Sequence, residues 1–447
     1  MIKKELYNLL QKVKGNSFND QYNQITCIMS EKVLVNFNIT QLKEILTHSY
    51  KNVLFYFHRL KSANIINSDG YVNLGEFNRI PLLKKDNVRN HRDKLTSKDI
   101  LRRKWRYNKT SGSIGEPLKV IQDNLEKKWK NATQRYYYEH LIGIDEIAAK
   151  KIMFSYLEGL FENNIRFRQK ANHWLKNAKY LDVFRMKETD MEHYIKKINS
   201  EKPDLIECVP SILFELSRYI ERKGKAIYQP KVIVCTSEKL HEHMRETIEN
   251  VFGTKLYDFY GSRECHALAG ECKAGLLHIF TFNNHIEVLN EQNHPVKEGE
   301  IGKVVVTPLH NYAMPLIRYE IGDMAILGPK RCKCGSSLPT LKEVVGRSRD
   351  FFIKDDGTLI PAGMIFIYLF KLREWIKAFQ VVQEDYLKIR ISVVPHGSIN
   401  DVEKREIEQK IKEVMGTDCY IIWEIVDEIP RSQRGKYFYI KSLLYDR

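Results

Sequence analysis

The chain has 447 residues, of which 43% are hydrophobic and 29% are charged, a composition ordinary for a globular protein of roughly two or three domains. Lys and Arg number 72 against 56 Asp and Glu, a formal net charge of +16. The basic residues recur along the whole chain without a stripe of interleaved aromatics, so nucleic acid is not the expected partner. No apolar stretch reaches the roughly 18 residues of a transmembrane helix, and we expect a cytoplasmic protein without membrane association.

Residues 1–100 are predicted to be mainly helical, because apolar side chains such as Leu42, Ile45 and Leu46 recur at helical spacing. A polar loop follows, and helix is predicted again over 120–141.

From about residue 150 to 310 the pattern alternates. Apolar runs such as 151–156 and 232–235 are typical of buried strands, and amphipathic segments such as 238–252 are typical of helices. Strands that alternate with helices predict a largely parallel sheet.

After about residue 350 the pattern is that of a small α+β unit. A turn at 355–358 predicts a hairpin, 379–382 and 387–394 predict strands, and 401–415 predicts a helix. The sequence therefore predicts an α/β protein with two domains. The large N-terminal domain has mixed or parallel sheets and spans 1–349, and the small C-terminal domain spans 350–447.

A loop rich in hydroxyl groups and glycine occupies 110–117. Its glycines, Gly112 and Gly115, free the backbone to approach a ligand, while Thr110, Ser111 and Ser113 can hydrogen-bond phosphate oxygens. The segment lacks the Gly-Lys-Ser/Thr ending of a Walker loop, which disfavours a P-loop fold.

Two further motifs suit a magnesium nucleotide. Glu264 follows an apolar run and is placed as a strand-end carboxylate is for holding Mg²⁺, and Tyr260 can stack on a base. Asp323, directly after a glycine, can accept hydrogen bonds from a ribose diol, although a turn aspartate is common.

The last two motifs lie at the predicted domain boundary and near the C-terminus. Arg347 can contact ribose or phosphate, and Asp350 can act as a hinge. Lys436 follows a glycine, and its point charge suits a polyanionic transition state.

The order and spacing of these motifs resemble the adenylate-forming superfamily, in particular the phenylacetate–CoA ligase branch and its relatives found with capsular-polysaccharide genes. The resemblance extends over nearly the whole chain. It implies ATP-dependent activation of a carboxylic acid as an acyl-adenylate, followed by acyl transfer to coenzyme A.

The resemblance also implies residue roles. Glu264 would bind Mg²⁺, Lys436 would bridge the carboxylate and the α-phosphate, and Asp350 would be the hinge. The residues that would contact the nucleotide are Thr110, Ser111, Gly112, Ser113, Gly115, Glu238, Tyr260, Gly261, Ser262, Asp323 and Arg347.

The sequence departs from the family pattern at several positions. Ile114 and Ile321 replace the usual threonines, and Arg263 stands where Ser or Thr normally precedes the glutamate. The charged segment 354–361 differs from the glycine-containing segment that guides the pantetheine arm in phenylacetate ligases, so the acceptor is open.

A cluster of thiols and an imidazole predicts a structural zinc site. Cys272, His278, Cys332 and Cys334 supply the three sulfurs and one nitrogen of a closed tetrahedral site. The alternatives are reduced surface thiols, or Cys265 or His266 as a ligand in place of one of the four. Some ligases of the resembled branch hold zinc in a matching place.

Three functions follow from these patterns. The first is an acid–CoA ligase that uses ATP, Mg²⁺ and a small carboxylic acid, with a homodimer as an open assembly state. The second is an adenylating enzyme that transfers the acyl group to an amine, a sugar or a carrier protein. The third, of another class, is a basic zinc-containing nucleic-acid-binding protein.

Overall fold

The fold was analysed in a computed structural model. It describes residues 2–13, 15–67, 69–109, 118–155, 174–182, 188–347, 351–356, 358–360, 362, 366, 369–370, 373–430 and 438–444. The chain divides into two compact units. The large unit comprises Met1–Ile321 and Ile326–Glu343, and the small unit comprises Gly322–Ala325 and Val344–Arg447. The predicted boundary residue, Asp350, lies outside the described residues, so its role stays a prediction.

The N-terminal part of the large unit is helical, as predicted. Its helices bury their apolar stripes, for example Leu42, Ile45 and Leu46 in the third helix. The helices are α1 (Ile2–Val13), α2 (Asn19–Cys27), α3 (Glu31–Asn52), α4 (Leu54–Ser62), α5 (Lys85–Asn90) and α6 (Arg92–Leu95), with 3₁₀ turns at Leu74–Arg79 and Ile100–Arg102. Within the described residues, no helix combines the length and apolar content needed to cross a membrane.

A two-stranded hairpin replaces the start of the helix predicted over 120–141. Strands β1 (Trp105–Lys109) and β2 (Lys119–Asp123) pair antiparallel. The helix α7 (Asn124–Tyr136) begins only after Asp123, whose side chain accepts the Glu126 N–H as an N-terminal cap. A π-helical segment, Tyr137–Ile142, continues it.

The centre of the large unit is a mixed sheet of eleven strands, in the order β10-β11-β12-β13-β9-β8-β7-β6-β5-β3-β4. The half with strands β4-β3-β5-β6-β7 is parallel, as the alternating pattern predicted, and β8 and β9 continue antiparallel. The strands are β3 (Lys151–Ser155), β4 (Ala178–Asp182), β5 (Leu205–Cys208), β6 (Val232–Thr236), β7 (Leu256–Ser262), β8 (His266–Glu271), β9 (Leu277–Ile279), β10 (Asn284–Leu289), β11 (Ile301–Pro308), β12 (Tyr319–Leu327) and β13 (Thr340–Arg347).

Among the described residues, the parallel strands are connected by the helices α8 (Glu188–Glu201), α9 (Pro210–Lys223) and α10 (Glu242–Phe252). The predicted helix over 238–252 therefore begins four residues later, and it buries Met244 and Ile248 as the apolar stripe predicted.

The small unit is α+β, as predicted. Its sheet has the order β18-β17-β16-β19, and the helix α11 (Asp401–Met415) packs on it through Ile407 and Ile411. The predicted hairpin at 355–358 joins β14 to β15. The strands are β14 (Phe352–Ile353), β15 (Leu359–Ile360), β16 (Ile376–Asp385), β17 (Lys388–Pro395), β18 (Tyr420–Ile425) and β19 (Ile440–Ser442).

A buried arginine ties the N-terminal helical region to the sheet of the large unit. Arg318 is 1% exposed and forms a bidentate pair with Glu287 on β10, with nitrogen–oxygen distances of 2.9 and 3.0 Å. Its third nitrogen donates to the carbonyl oxygens of Asn78 and Ile80, the latter at 2.7 Å. The guanidinium therefore satisfies a buried carboxylate and two carbonyls from separate parts of the chain.

We expect Arg318→Met to lower the free energy of unfolding by about 3–5 kcal/mol, because it leaves the Glu287 carboxylate buried without its counter-charge. Urea denaturation of the full chain measures this change. The control is Arg222→Met, which removes a pair whose arginine side chain is 65% exposed and should change stability by less than about 1 kcal/mol. Equal effects of the two substitutions would contradict the role of Arg318.

Candidate functional site

The turn between β7 and β8 carries the glutamate predicted to bind magnesium. Glu264 is 6% exposed, and the hydroxyl of Tyr319 on β12 donates to its Oε1 at 3.2 Å. A carboxylate has about four acceptor positions, so one donor fixes its orientation and leaves capacity for a cation. Tyr260, Gly261 and Ser262 form the end of β7 that leads into this turn.

Two amide side chains attach the hairpin β1–β2 to the same turn. The Asn108 Nδ2 donates to the Arg263 carbonyl at 2.7 Å, and the Gln122 Nε2 donates to the Arg263 and Glu264 carbonyls at 3.0 and 3.3 Å. The two amides also bond each other at 3.0 Å. Asn108 and Gln122 lie on opposite sides of the predicted phosphate loop, 110–117. These two residues, which flank that segment in sequence, are therefore held beside the turn with Glu264.

Asn108 and Gln122 were not among the residues predicted from the sequence. The sequence offers one signal for Gln122, which directly follows the apolar residues Val120 and Ile121. In the structure Gln122 is 1% exposed, and a buried glutamine needs hydrogen-bond partners.

Residues at the end of strand β6 show an unusual backbone. Ser237 has φ +78°, a left-handed conformation that is uncommon for a residue other than glycine. Such strain concentrates at functional sites. Glu238, a predicted nucleotide contact, follows directly and is half-buried.

The predicted ribose contacts Asp323 and Arg347 are brought together within the small unit. The Arg347 Nε lies 3.7 Å from the Asp323 Oδ1, and the two side chains are 42% and 14% exposed. A partly exposed pair separated by 3.7 Å contributes little to stability, about 0–1 kcal/mol.

The four predicted zinc ligands form one cluster in the large unit, and their ligand atoms all lie within 4.8 Å of one another. The Cys272 and Cys332 sulfurs are 3.6 Å apart, and the Cys334 sulfur is 3.1 Å from the His278 Nε2. The His278 Nδ1 lies 3.0 Å from the Leu338 carbonyl, which directs Nε2 toward the thiols. The rival ligands predicted from the sequence, Cys265 and His266, do not belong to this group.

The polar contacts at one member of the cluster favour an anionic sulfur. Burial alone would raise the pKa of Cys272, but hydrogen bonds from His278 and from the backbone at Leu276 and Ala274 lower it to about 6. Thiolate is the form of cysteine that binds metals.

The remaining predicted site residues lie outside the described residues, so their roles stay predictions. They are Thr110, Ser111, Gly112, Ser113, Gly115, Asp350 and Lys436.

Residues 352–443 match the family model of the CapK C-terminal domain. The chain is 25% identical to Protein CapK of Staphylococcus aureus over 96% of this chain and 95% of that protein. It is 24% identical to a phenylacetate-coenzyme A ligase of Thermus thermophilus over 89% of this chain and 93% of that protein. These relatives bear out the predicted resemblance to the phenylacetate–CoA ligase-like branch of adenylate-forming proteins.

The fold agrees with this resemblance. The crystal structure of a 2-hydroxyisobutyryl-CoA ligase in the postadenylation state with R3-HIB-AMP matches with a TM-score of 0.69 at 16% identity, over 92% of this chain and 89% of that one. The ligase-like branch and the predicted α/β fold are thus confirmed.

We expect Gln122→Leu to weaken MgATP binding by roughly tenfold, because the Arg263 and Glu264 carbonyls lose their shared donor and strand β2 is no longer held beside the Glu264 turn. Isothermal titration calorimetry measures the affinity. The control is Gln134→Leu on α7, where the amide bonds only Glu146, at 3.4 Å. Unchanged affinity in the Gln122 variant would show that this anchor does not shape the nucleotide site.

Proposed function

We propose that the protein activates a carboxylic acid with ATP and transfers the acyl group to coenzyme A. The observation that carries this proposal is the double anchor formed by Asn108 and Gln122, which joins the two strands that flank the predicted phosphate loop in sequence to the turn bearing Glu264. Relatives named phenylacetate-coenzyme A ligase, which align over most of the chain, support the reaction class.

In the first half-reaction a substrate carboxylate oxygen attacks the α-phosphorus of ATP. The bond to the β-phosphate bridging oxygen breaks, pyrophosphate leaves, and an acyl-adenylate forms. Lys436 would neutralise charge on the carboxylate and α-phosphate, and Glu264 would hold Mg²⁺, which when bound offsets phosphate charge. Asp323 and Arg347 would hold the ribose, and Tyr260 would stack on the base.

In the second half-reaction the coenzyme A thiolate attacks the acyl carbon and AMP leaves. We propose that the small C-terminal domain, 350–447, rotates about Asp350 between the two steps and so withdraws Lys436 from the acyl group. This rotation would open a path for the coenzyme A thiol to the acyl carbon.

A second acceptor is favoured by one observation. The hairpin turn that follows the proposed hinge carries the exposed residues Asp355 and Asp356, whose charge is unfavourable for guiding the pyrophosphate end of coenzyme A. An amine, a sugar or a carrier protein would then accept the acyl group. Hydroxamate trapping in the presence and absence of coenzyme A, with product mass, separates the two acceptors.

We expect Lys436→Ala to lower acid-dependent ATP–pyrophosphate exchange by roughly 100-fold or more, because the charge that stabilises the transition state is lost. Glu264→Gln should lower it similarly and raise the Mg²⁺ concentration needed. Lys410→Ala, on the exposed face of helix α11, is the control and should leave the exchange unchanged. Undiminished exchange after Lys436→Ala would contradict the proposed mechanism.

We also propose that Cys272, His278, Cys332 and Cys334 hold a structural Zn²⁺. Thiolates bound to tetrahedral zinc at roughly 2.3 Å stand about 3.8 Å from each other, and the observed 3.6 Å between Cys272 and Cys332 suits that arrangement. The donor set of three sulfurs and one imidazole is a common structural zinc set. Four protein ligands leave no position for substrate, so the ion would join the β8–β9 hairpin to the segment around 332.

We expect the purified protein to contain about one equivalent of zinc by elemental analysis, and Cys332→Ser to abolish it. Loss of the ion should lower the melting temperature, because metal-binding energy contributes to folding. Cys27→Ser, at an exposed thiol away from the cluster, is the control for zinc content and stability. Full zinc content in the Cys332 variant would show that the ion binds elsewhere.

A further inference from the structure

A buried glutamate and a buried histidine face each other beside the Glu264 turn. Glu126 lies in the first turn of helix α7 and is 4% exposed, and His266 begins strand β8 and is 7% exposed. The His266 Nε2 lies 3.9 Å from the Glu126 Oε1. This separation exceeds that of a direct hydrogen bond.

Within the part of the chain that the structure describes, three atoms of this pair have no hydrogen-bond partner. They are both carboxylate oxygens of Glu126 and the Nε2 of His266. Buried polar atoms are almost always paired, because an unpaired one retains the full penalty of losing water. Three such atoms at one place indicate a site that is completed by a ligand.

Neighbouring polar side chains in the same region are well bonded, so loose packing does not explain the pair. Gln122 donates to the Arg263 and Glu264 carbonyls. Asp123 accepts the backbone N–H groups of Glu126 and Tyr312, each at 3.0 Å.

The pair borders the residues proposed to bind nucleotide. His266 pairs with Ser262 across the β7–β8 hairpin and lies two residues after Glu264. It adopts φ +58°, a left-handed conformation uncommon for histidine. Glu126 lies on helix α7, which directly follows strand β2 of the hairpin β1–β2. A group bound by the pair would therefore lie next to the proposed magnesium nucleotide.

The electrostatic surroundings favour neutral forms of both groups. Burial raises the pKa of Glu126 well above its ordinary range, against the opposing effect of Arg106 and Lys130. Burial also lowers the pKa of His266 far below its ordinary value, and Lys130, Arg106 and Arg263 lower it further. The same cations disfavour a substrate ammonium at this position.

We propose that Glu126 and His266 bind a hydroxyl group on the acyl part of the substrate, so that the acid activated is a hydroxylated carboxylic acid. This inference rests on the proposed function. One hydroxyl oxygen can lie about 2.8 Å from both groups, because they are 3.9 Å apart. It would donate to a Glu126 oxygen and bond the His266 Nε2. An apolar acyl group would leave all three atoms unpaired.

The test uses matched acids in the ATP–pyrophosphate exchange assay: 4-hydroxyphenylacetate with phenylacetate, and 3-hydroxybutanoate with butanoate. We expect the wild-type protein to prefer the hydroxylated member of at least one pair by roughly 10- to 100-fold in kcat/KM. In Glu126→Leu the preference should fall to about twofold or less, chiefly through KM for the acid, while KM for ATP stays within about twofold.

Two conservative variants keep the test meaningful should Glu126→Leu fold poorly. Glu126→Gln and His266→Gln retain hydrogen-bonding groups and should keep part of the preference. The surface control is Glu188→Leu, at a glutamate side chain that is 61% exposed, and it should keep all of it. A preference that survives in Glu126→Leu, or a wild-type protein that uses the apolar acids equally well, would overturn the inference.

The failure of this inference and that of the proposed function are distinguishable. Exchange with apolar acids alone would support adenylation and overturn the hydroxyl site. If no acid supports exchange, thermal shift with the same acids decides. A hydroxylated acid that raises the melting temperature of the wild-type protein but not of Glu126→Leu would support the site without adenylation, and no shift with any acid would overturn it.

Discussion

The candidate site depends on a small set of hydrogen bonds made by two amide side chains, the buried Gln122 and the half-buried Asn108. Gln122 and Arg263 are 141 residues apart in sequence, and the Gln122 amide joins them at 3.0 Å. Asn108 repeats the contact from the other strand of the hairpin. Ordering a chain segment costs conformational entropy, so fixing the flanking strands beside Glu264 before a ligand binds lowers that cost. The two amides therefore set the position of these strands relative to the carboxylate.

The buried polar groups of this region are of two kinds, those that are hydrogen-bonded and those that are not. We assign the first kind to building the site and the second to substrate selectivity. Gln122 and Asp123 use their hydrogen-bonding capacity on backbone groups, so they build the site. By contrast, both carboxylate oxygens of Glu126 and the Nε2 of His266 have no hydrogen-bond partner among the described residues. Replacing Gln122 or Asp123 would leave backbone groups without their partners, whereas the unpaired atoms of Glu126 and His266 support no backbone group.

The pattern of residue types predicted the secondary structure and the ligand cluster better than it predicted tertiary contacts. The run at 232–235 is apolar on both faces and became a central parallel strand, because only such runs can be covered by helices on both sides. The four zinc-ligand candidates could be predicted, because zinc binding is the common reason for thiols and an imidazole to be grouped. Their ligand atoms do lie together in the structure. The hairpin β1–β2 was missed, since the sequence of Trp105–Lys109 contains no apolar run and resembles a loop. The Glu126–His266 pair had no sequence signal, because only the tertiary fold brings helix α7 to strand β8.

Two departures from the family pattern can be explained by the atoms that make the contacts. Arg263 replaces the usual Ser or Thr, yet its side chain is exposed and it is the carbonyl oxygen that accepts both anchoring amides. Any residue type supplies that carbonyl, so the anchor tolerates the change. Ile321 replaces a threonine in β12 and is 3% exposed, where an apolar side chain is accommodated without an unpaired hydroxyl. The added charge of Arg263 raises the positive potential beside Glu264.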